Sequence, residues 1–240
     1  MCGICYYNGC NHTNEEILEY FTKIQHRGPD SSGYKIINNQ FFGCHRLAVI
    51  NLEPEGNQPL ELDGNVLICN GQIYNYKELA EEHDIKMEKV RTDVDIILHL
   101  YVKGIPIMKI CNMLDGVFAF VLYDTSQNRH FVARDPVGIR PLFWSCTEEG
   151  NLDVVCSEIK GMKTSNKINV FPPSHLYDSH GDLTKYFDFE QPEKTEIEEK
   201  ERELVKLTFQ TSTLSKYYTI YEDEMEELEK YIKKLIQKNH

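Results

Sequence analysis

Apolar residues in this chain recur at two spacings, and the switches between them divide it into elements. Cys2–Tyr7 is apolar with no helical period, which predicts a short strand. Thr13 and Glu16 form a capping-box signature, and Ile17, Leu18, Phe21 and Ile24 follow at helical spacing, so a helix is predicted to about Gln25. Residues 26–33 carry turn chemistry throughout. Phe41–Ile50 and Val66–Cys69 predict strands. Tyr76–Glu82 predicts a short helix, Val94, Ile97, Leu98 and Tyr101 a second, and Ile107, Ile110, Cys111 and Leu114 a third. Val117–Tyr123 is continuously apolar, as expected of a strand buried on both faces. Phe131–Arg134, Leu142–Ser145 and Leu152–Cys156 are expected to continue one antiparallel set with short connections. Strands with helices between them predict an α+β layered domain over residues 1–190. Beyond it the composition turns acidic and helical, so 191–240 is read as an acidic helical tail, the start or remnant of a linker to a further domain. There Met225, Leu228, Ile232 and Leu235 form an apolar stripe that must pack on the domain or on a partner.

Composition narrows the class. With 240 residues and 41% hydrophobic content the chain can bury a real core. A net charge of −12 argues against nucleic acid or an anionic membrane surface as main partner, since both need clustered cations. No apolar run reaches the ~18 residues of a membrane span, and no secretory signal pattern opens the chain. A cytoplasmic location is therefore expected. The eight cysteines lie mostly in apolar stretches, like reduced buried thiols. Cys2 and Cys5 have the spacing of a redox pair, and Cys2, Cys5 and Cys10 offer sulfur ligands, but no second CxxC or His set completes a metal site; none is expected.

Four segments carry chemistry. Cys2 follows the initiator methionine, so removal of Met1 would place a thiol and a free α-amino group on one residue. Their ordinary pKa values are about 8.5 and about 7.7–8.0, so the amine can take the thiol's proton. Arg46 interrupts an apolar strand and calls for an anion, either an internal partner or a ligand carboxylate. Asn70 and Gly71 can aim a side-chain and a backbone donor at one oxygen, as an oxyanion hole requires, although Asn-Gly is equally a hairpin-turn signal. Asp93 opens a helix, where it is a simple cap or a counter-charge for an ammonium group.

In combination these segments closely resemble the glutaminase domain of the class II glutamine amidotransferases, specifically that of glutamine-dependent asparagine synthetase. The matching stretches are Met1–Ile4, His26–Asp30, Arg46–Ile50, Asn57–Leu60, Asn70–Asn75, Asp93 ahead of Ile96–Leu98, and Leu114–Phe120. Arg134–Asp135, Gly138–Leu142 and Ser157–Lys160 complete the order over roughly residues 1–190. The resemblance implies an N-terminal nucleophile hydrolase, a four-layer αββα sandwich of two antiparallel sheets. It implies that Cys2 attacks the side-chain amide of L-glutamine to form a thioester, its own amine moving the proton. Asn70 and Gly71 would hold the oxyanion, Arg46 the α-carboxylate, Asp93 the α-ammonium, and Val49, Ile50 and Gln72 would line the pocket.

Two departures stand out. Gln72 replaces the family's usual Glu, so glutamine binding should be weaker, with Asp93 as main counter-charge. The Ser-Gly-Gly-x-Asp-Ser type ATP loop of the family's synthetase half does not occur in this sequence. No cofactor is expected for this domain; ATP and Mg would belong to a synthetase region on a separate chain or lost. The expected function is glutamine hydrolysis feeding asparagine synthesis there. The alternative is a catalytically weak or inactive binding module on the same fold. The stripe at Met225–Leu235 is an expected docking face for a synthetase subunit or for self-association.

Overall fold

The structure, a computed structural model, describes residues 1–9, 12–181 and 183–188. Expectations about the tail and its stripe lie outside the described residues, as does Cys10. Within the compact unit Met1–Asp188 the strands are β1 (Gly3–Asn8), β2 (Ser31–Ile37), β3 (Gln40–Arg46), β4 (Leu60–Leu62), β5 (Asn65–Ile73), β6 (Gly116–Asp124), β7 (Arg129–Arg134), β8 (Phe143–Cys146), β9 (Leu152–Cys156), β10 (Asn169–Val170), β11 (His175–Asp178) and β12 (Leu183–Lys185). The helices are α1 (Asn14–Thr22), α2 (Tyr76–Glu82), α3 (Ile96–Val102) and α4 (Ile107–Met113). The strands form two six-stranded antiparallel sheets, ordered β10-β8-β9-β1-β3-β2 and β12-β11-β7-β6-β5-β4.

Side-chain alternation makes the layers. In β1, Ile4 and Tyr6 enter a core shared with Val66 and Ile68 of β5 and Ala119, Val121 and Tyr123 of β6. The intervening Cys5 and Tyr7 face the opposite way, against Ile17, Phe21 and Ile24 around α1. Likewise Leu67, Cys69, Phe118, Phe120 and Leu122 turn outward against α2, α3 and α4. The result is helix, sheet, sheet, helices: the expected αββα sandwich. Continuous apolarity in β6 follows from this, because both its faces are covered.

Several expectations are corrected. The strand expected at Phe41–Ile50 ends at Arg46, and Leu47, Val49 and Ile50 line the cavity instead. The first helix keeps its capping box at Thr13 and Glu16 but stops at Thr22, with a separate 3-10 turn at Gln25–Arg27. The strands after Val117–Tyr123 are not one set: β6 and β7 lie in one sheet, β8 and β9 in the other. The Asp135–Pro141 crossover is fixed by buried Asp135, whose carboxylate accepts from the backbone N–H groups of Val137, Gly138, Ile139 and Arg140 at 2.6–3.2 Å. Asp135→Ala leaves those donors unmatched, so urea unfolding should show a loss of about 2–4 kcal/mol. An unchanged midpoint would mean the loop needs no such anchor.

Candidate active site

Where β1 begins, β3 ends and β5 passes its midpoint, a cavity of about 240 Å³ opens. Its wall includes Cys2, Arg46, Val49, Ile50, Gly71, Gln72, Thr92, Asp93 and Arg140. Seven of the eight sequence-derived site residues therefore converge, from segments up to 91 positions apart in the chain. The eighth, Asn70, lies in β5 next to Gly71, 1% exposed, and its Nδ2 has no hydrogen-bond partner. A buried amide donor with nothing to donate to is costly and invites a ligand oxygen.

The turn reading of Asn70-Gly71 is overturned. Both residues are paired strand positions, opposite Ala119 and Phe118 of β6. Alternation sends Ile68 into the inter-sheet core, and Asn70, two positions on, shares that face. Cys2 packs against the same core. A side chain at position 71 would meet the Val117 carbonyl oxygen at 2.6 Å, so close strand approach demands glycine there.

Cys2 is half-buried, its Sγ 3.7 Å from the Leu47 carbonyl oxygen. Its backbone carbonyl accepts from the Nε of Arg27, which also pairs with Glu158 at 2.9 Å. With Met1 in place the thiol is lowered to about 6, first because the Cys44 thiol donates to its sulfur; burial opposes this, and the Leu47 backbone, the Met1 ammonium and Arg46 assist. Cys44 sits opposite Ile4 in the β1–β3 ladder, two residues from Cys2 on the same face, and its own thiol is pushed well up. Alkylation of Cys2 by iodoacetamide should thus fall off only below a midpoint near pH 6. In Cys44→Ala the midpoint should move up toward the ordinary thiol range; an unmoved profile would exclude Cys44 as donor. Cys5, facing the opposite layer beside Cys156 and Gly161, cannot pair with Cys2, so the redox-pair alternative fails on strand parity. Met1 is 54% exposed at the cavity mouth, where its removal is sterically open.

Arg46 is 5% exposed and takes no internal carboxylate among the described residues. Its terminal nitrogens donate to the carbonyl oxygens of Glu53 and Ile50 at 3.1 Å, to Asn57 Oδ1 at 2.8 Å and to the Asn51 carbonyl. Neutral acceptors fix the guanidinium without cancelling its charge. Asp93 caps no helix: it lies in a 3-10 turn ahead of α3, and its Oδ2 accepts from the Ile73 N–H at 2.8 Å. Burial raises its pKa, opposed by bonds from Ile73 and its own turn and by the field of Arg140. A cation seated beside it would relieve that cost. Gln72 Oε1 lies 3.5 Å from Arg140 Nη2.

Four further residues contribute, three with no role in the sequence reading and Thr92 with only that of a cap. Gln58 braces β5, its amide exchanging bonds with the Cys69 backbone at 2.6 and 2.9 Å. Thr92 lines the cavity with a buried, unpartnered Oγ1. Cys44 and Arg140 reach the site across the fold. Gln58 and Arg140 stood in motif stretches, and Thr92 opens the Asp93 segment as a candidate cap, yet its hydroxyl caps nothing; Cys44 carried no separate signal.

The two stacked antiparallel sheets and the helices covering them define a sandwich of the N-terminal-nucleophile-hydrolase type. Its backbone superposes on glutamine phosphoribosylpyrophosphate amidotransferase from B. subtilis with a TM-score of 0.61 at 19% identity, over 79% of this chain and 50% of that one. The family model described as "Glutamine amidotransferase domain" matches residues 1–220, and the chain belongs to that family. It is 41% identical over 188 residues to human asparagine synthetase [glutamine-hydrolyzing] and 40% over 179 residues to the chicken enzyme. These matches take in 73% and 72% of this chain, and the chain spans about a third of the relatives' length, 33% and 31%.

Proposed function

We propose that the chain hydrolyses L-glutamine to L-glutamate and ammonia, with Cys2 as nucleophile once Met1 is removed. One observation carries this: a thiol, a carboxylate and an uncancelled guanidinium line one cavity of amino-acid size, with an unsatisfied amide donor on the residue next to its wall at Gly71. Arg46 takes the substrate α-carboxylate and Asp93 the α-ammonium, with Val49, Ile50 and Gln72 completing the wall. The Cys2 amine accepts the thiol proton as Sγ bonds to the γ-carbonyl carbon. Asn70 Nδ2 and the Gly71 N–H hold the oxyanion. The amine then gives its proton to the leaving nitrogen, releasing ammonia and a thioester. Water adds to the thioester, the amine again taking the proton, and glutamate departs as the thiol re-forms.

Because the relatives are asparagine synthetases, the acceptor we propose for the ammonia is an ATP-dependent asparagine-forming region, and ATP and Mg act there rather than here. The free thiols among the described residues, Cys2, Cys5, Cys44, Cys69, Cys111, Cys146 and Cys156, suit a cytoplasmic setting. No described helix is long and apolar enough to cross a membrane. Glutamate release by the processed chain tests the proposal, with ammonia expected in equal amount. Gln72 supports a second reading: a neutral residue at this wall position favours a binding module, which would hold glutamine but release nothing.

A further inference from the structure

A second guanidinium enters the cavity with no task in the proposed chemistry. Arg140 is half-buried; its Nη2 reaches Gln72 at the outer limit of a hydrogen bond, 3.5 Å, and its Nε is buried with no partner at all. The loop that delivers it is rigidly held. Asp135 pins four of its backbone N–H groups, and the Arg134 guanidinium donates to the carbonyl oxygens of Gly138, Arg140 and Phe171, each at 2.7 Å.

The charges around the cavity do not balance. Arg46 and Arg140 face a single carboxylate, Asp93. The Cys2 thiol and its α-amine share one proton, so together they add no net charge in either arrangement. Gln72 meets Arg140 with an amide oxygen, which orients the guanidinium but leaves its charge in place. L-Glutamine is a zwitterion of zero net charge; L-glutamate has the same shape and one extra negative charge. In a partly buried site one uncancelled cation discriminates between two such isosteres.

We propose that Arg140, left uncompensated by Gln72, makes this cavity hold the dicarboxylate L-glutamate more tightly than its neutral isostere, so that the product restrains the site that forms it. This rests on the glutamine-hydrolysis reading and names a regulation of the same site. Arg140 is the specificity-determining residue and Gln72 the residue that leaves it available.

Calorimetric titration of L-glutamate and L-glutamine at low salt tests this in the Cys2→Ala background, where nothing turns over and the α-ammonium, now without a thiol to share its proton, adds the same charge to every variant compared. Adding Gln72→Glu supplies Arg140 with an anion and should shift the glutamate-to-glutamine affinity ratio toward glutamine by about tenfold or more. Arg140→Gln should shift it the same way, and Arg140→Lys should keep the original preference, separating charge from packing. A ratio unchanged within twofold in both charge-altering variants, with glutamine still bound, would overturn the proposal and leave the hydrolase reading standing. A folded Cys2→Ala chain that binds neither amino acid would overturn both.

Discussion

Replacing Cys2 by alanine is expected to lower glutamate release at least about 10³-fold while glutamine still binds. The nucleophile is the one group in the cavity for which nothing else substitutes: Cys44 is buried with its thiol pushed well up, and Cys5 faces the opposite layer. Binding should survive because the groups assigned to the amino acid's charged ends, Arg46 and Asp93, are fixed by neighbours other than Cys2. The measurement is turnover by glutamate release alongside calorimetry. Release as fast as in the parent would end the thioester mechanism. A parent that binds glutamine and releases nothing would favour the binding-module reading.

Asn70→Ala is expected to reduce kcat by about 10²–10³ with KM for glutamine changed only a few-fold. The asymmetry follows from when the donor is used. In the free protein Nδ2 has no partner, so its bond is made to an oxygen that becomes fully anionic only in the tetrahedral state. For the same reason the substitution removes no donated bond from the fold, and Tm should hold within a few degrees. Asn70→Asp is the sharper control. It keeps the shape but sets a carboxylate against a developing oxyanion, so it should be at least as damaging. Loss of KM with kcat intact would instead assign Asn70 to ground-state binding.

What the sequence disclosed depended on how local each signal was. The α1 cap needs only Thr13 and Glu16, and the doubly covered β6 shows in its unbroken apolar run; both were legible. The edge strands β2, β4, β10 and β12 were not: β4, β10 and β12 run only two or three residues, and β2, though longer, is largely exposed and opens inside the turn-rich stretch 26–33. Asn70-Gly71 misled at the level of local propensity: pairing with β6 over nine residue pairs outweighs the turn preference of the dipeptide. At the site, Cys2, Arg46, Asn70, Gly71 and Asp93 announced themselves by chemistry out of place in apolar or turn-rich surroundings, whereas Val49, Ile50 and Gln72 rested on the family resemblance alone. Cys44 did not, since a cysteine in an apolar strand looks like any other core residue until the β1–β3 register brings it to Cys2. Arg140 carries no signal beyond the Gly138–Leu142 motif that contains it. Its significance lies in the 3.5 Å contact with Gln72, 68 positions away.

Intact-mass analysis of the purified chain, before and after treatment with a glutamine-analogue diazo-ketone, tests the central claim most directly. The expected result is a chain lacking Met1 that gains a single adduct, mapped to Cys2 and suppressed by excess L-glutamine. Retained Met1, or an adduct that forms elsewhere and is indifferent to glutamine, would contradict it.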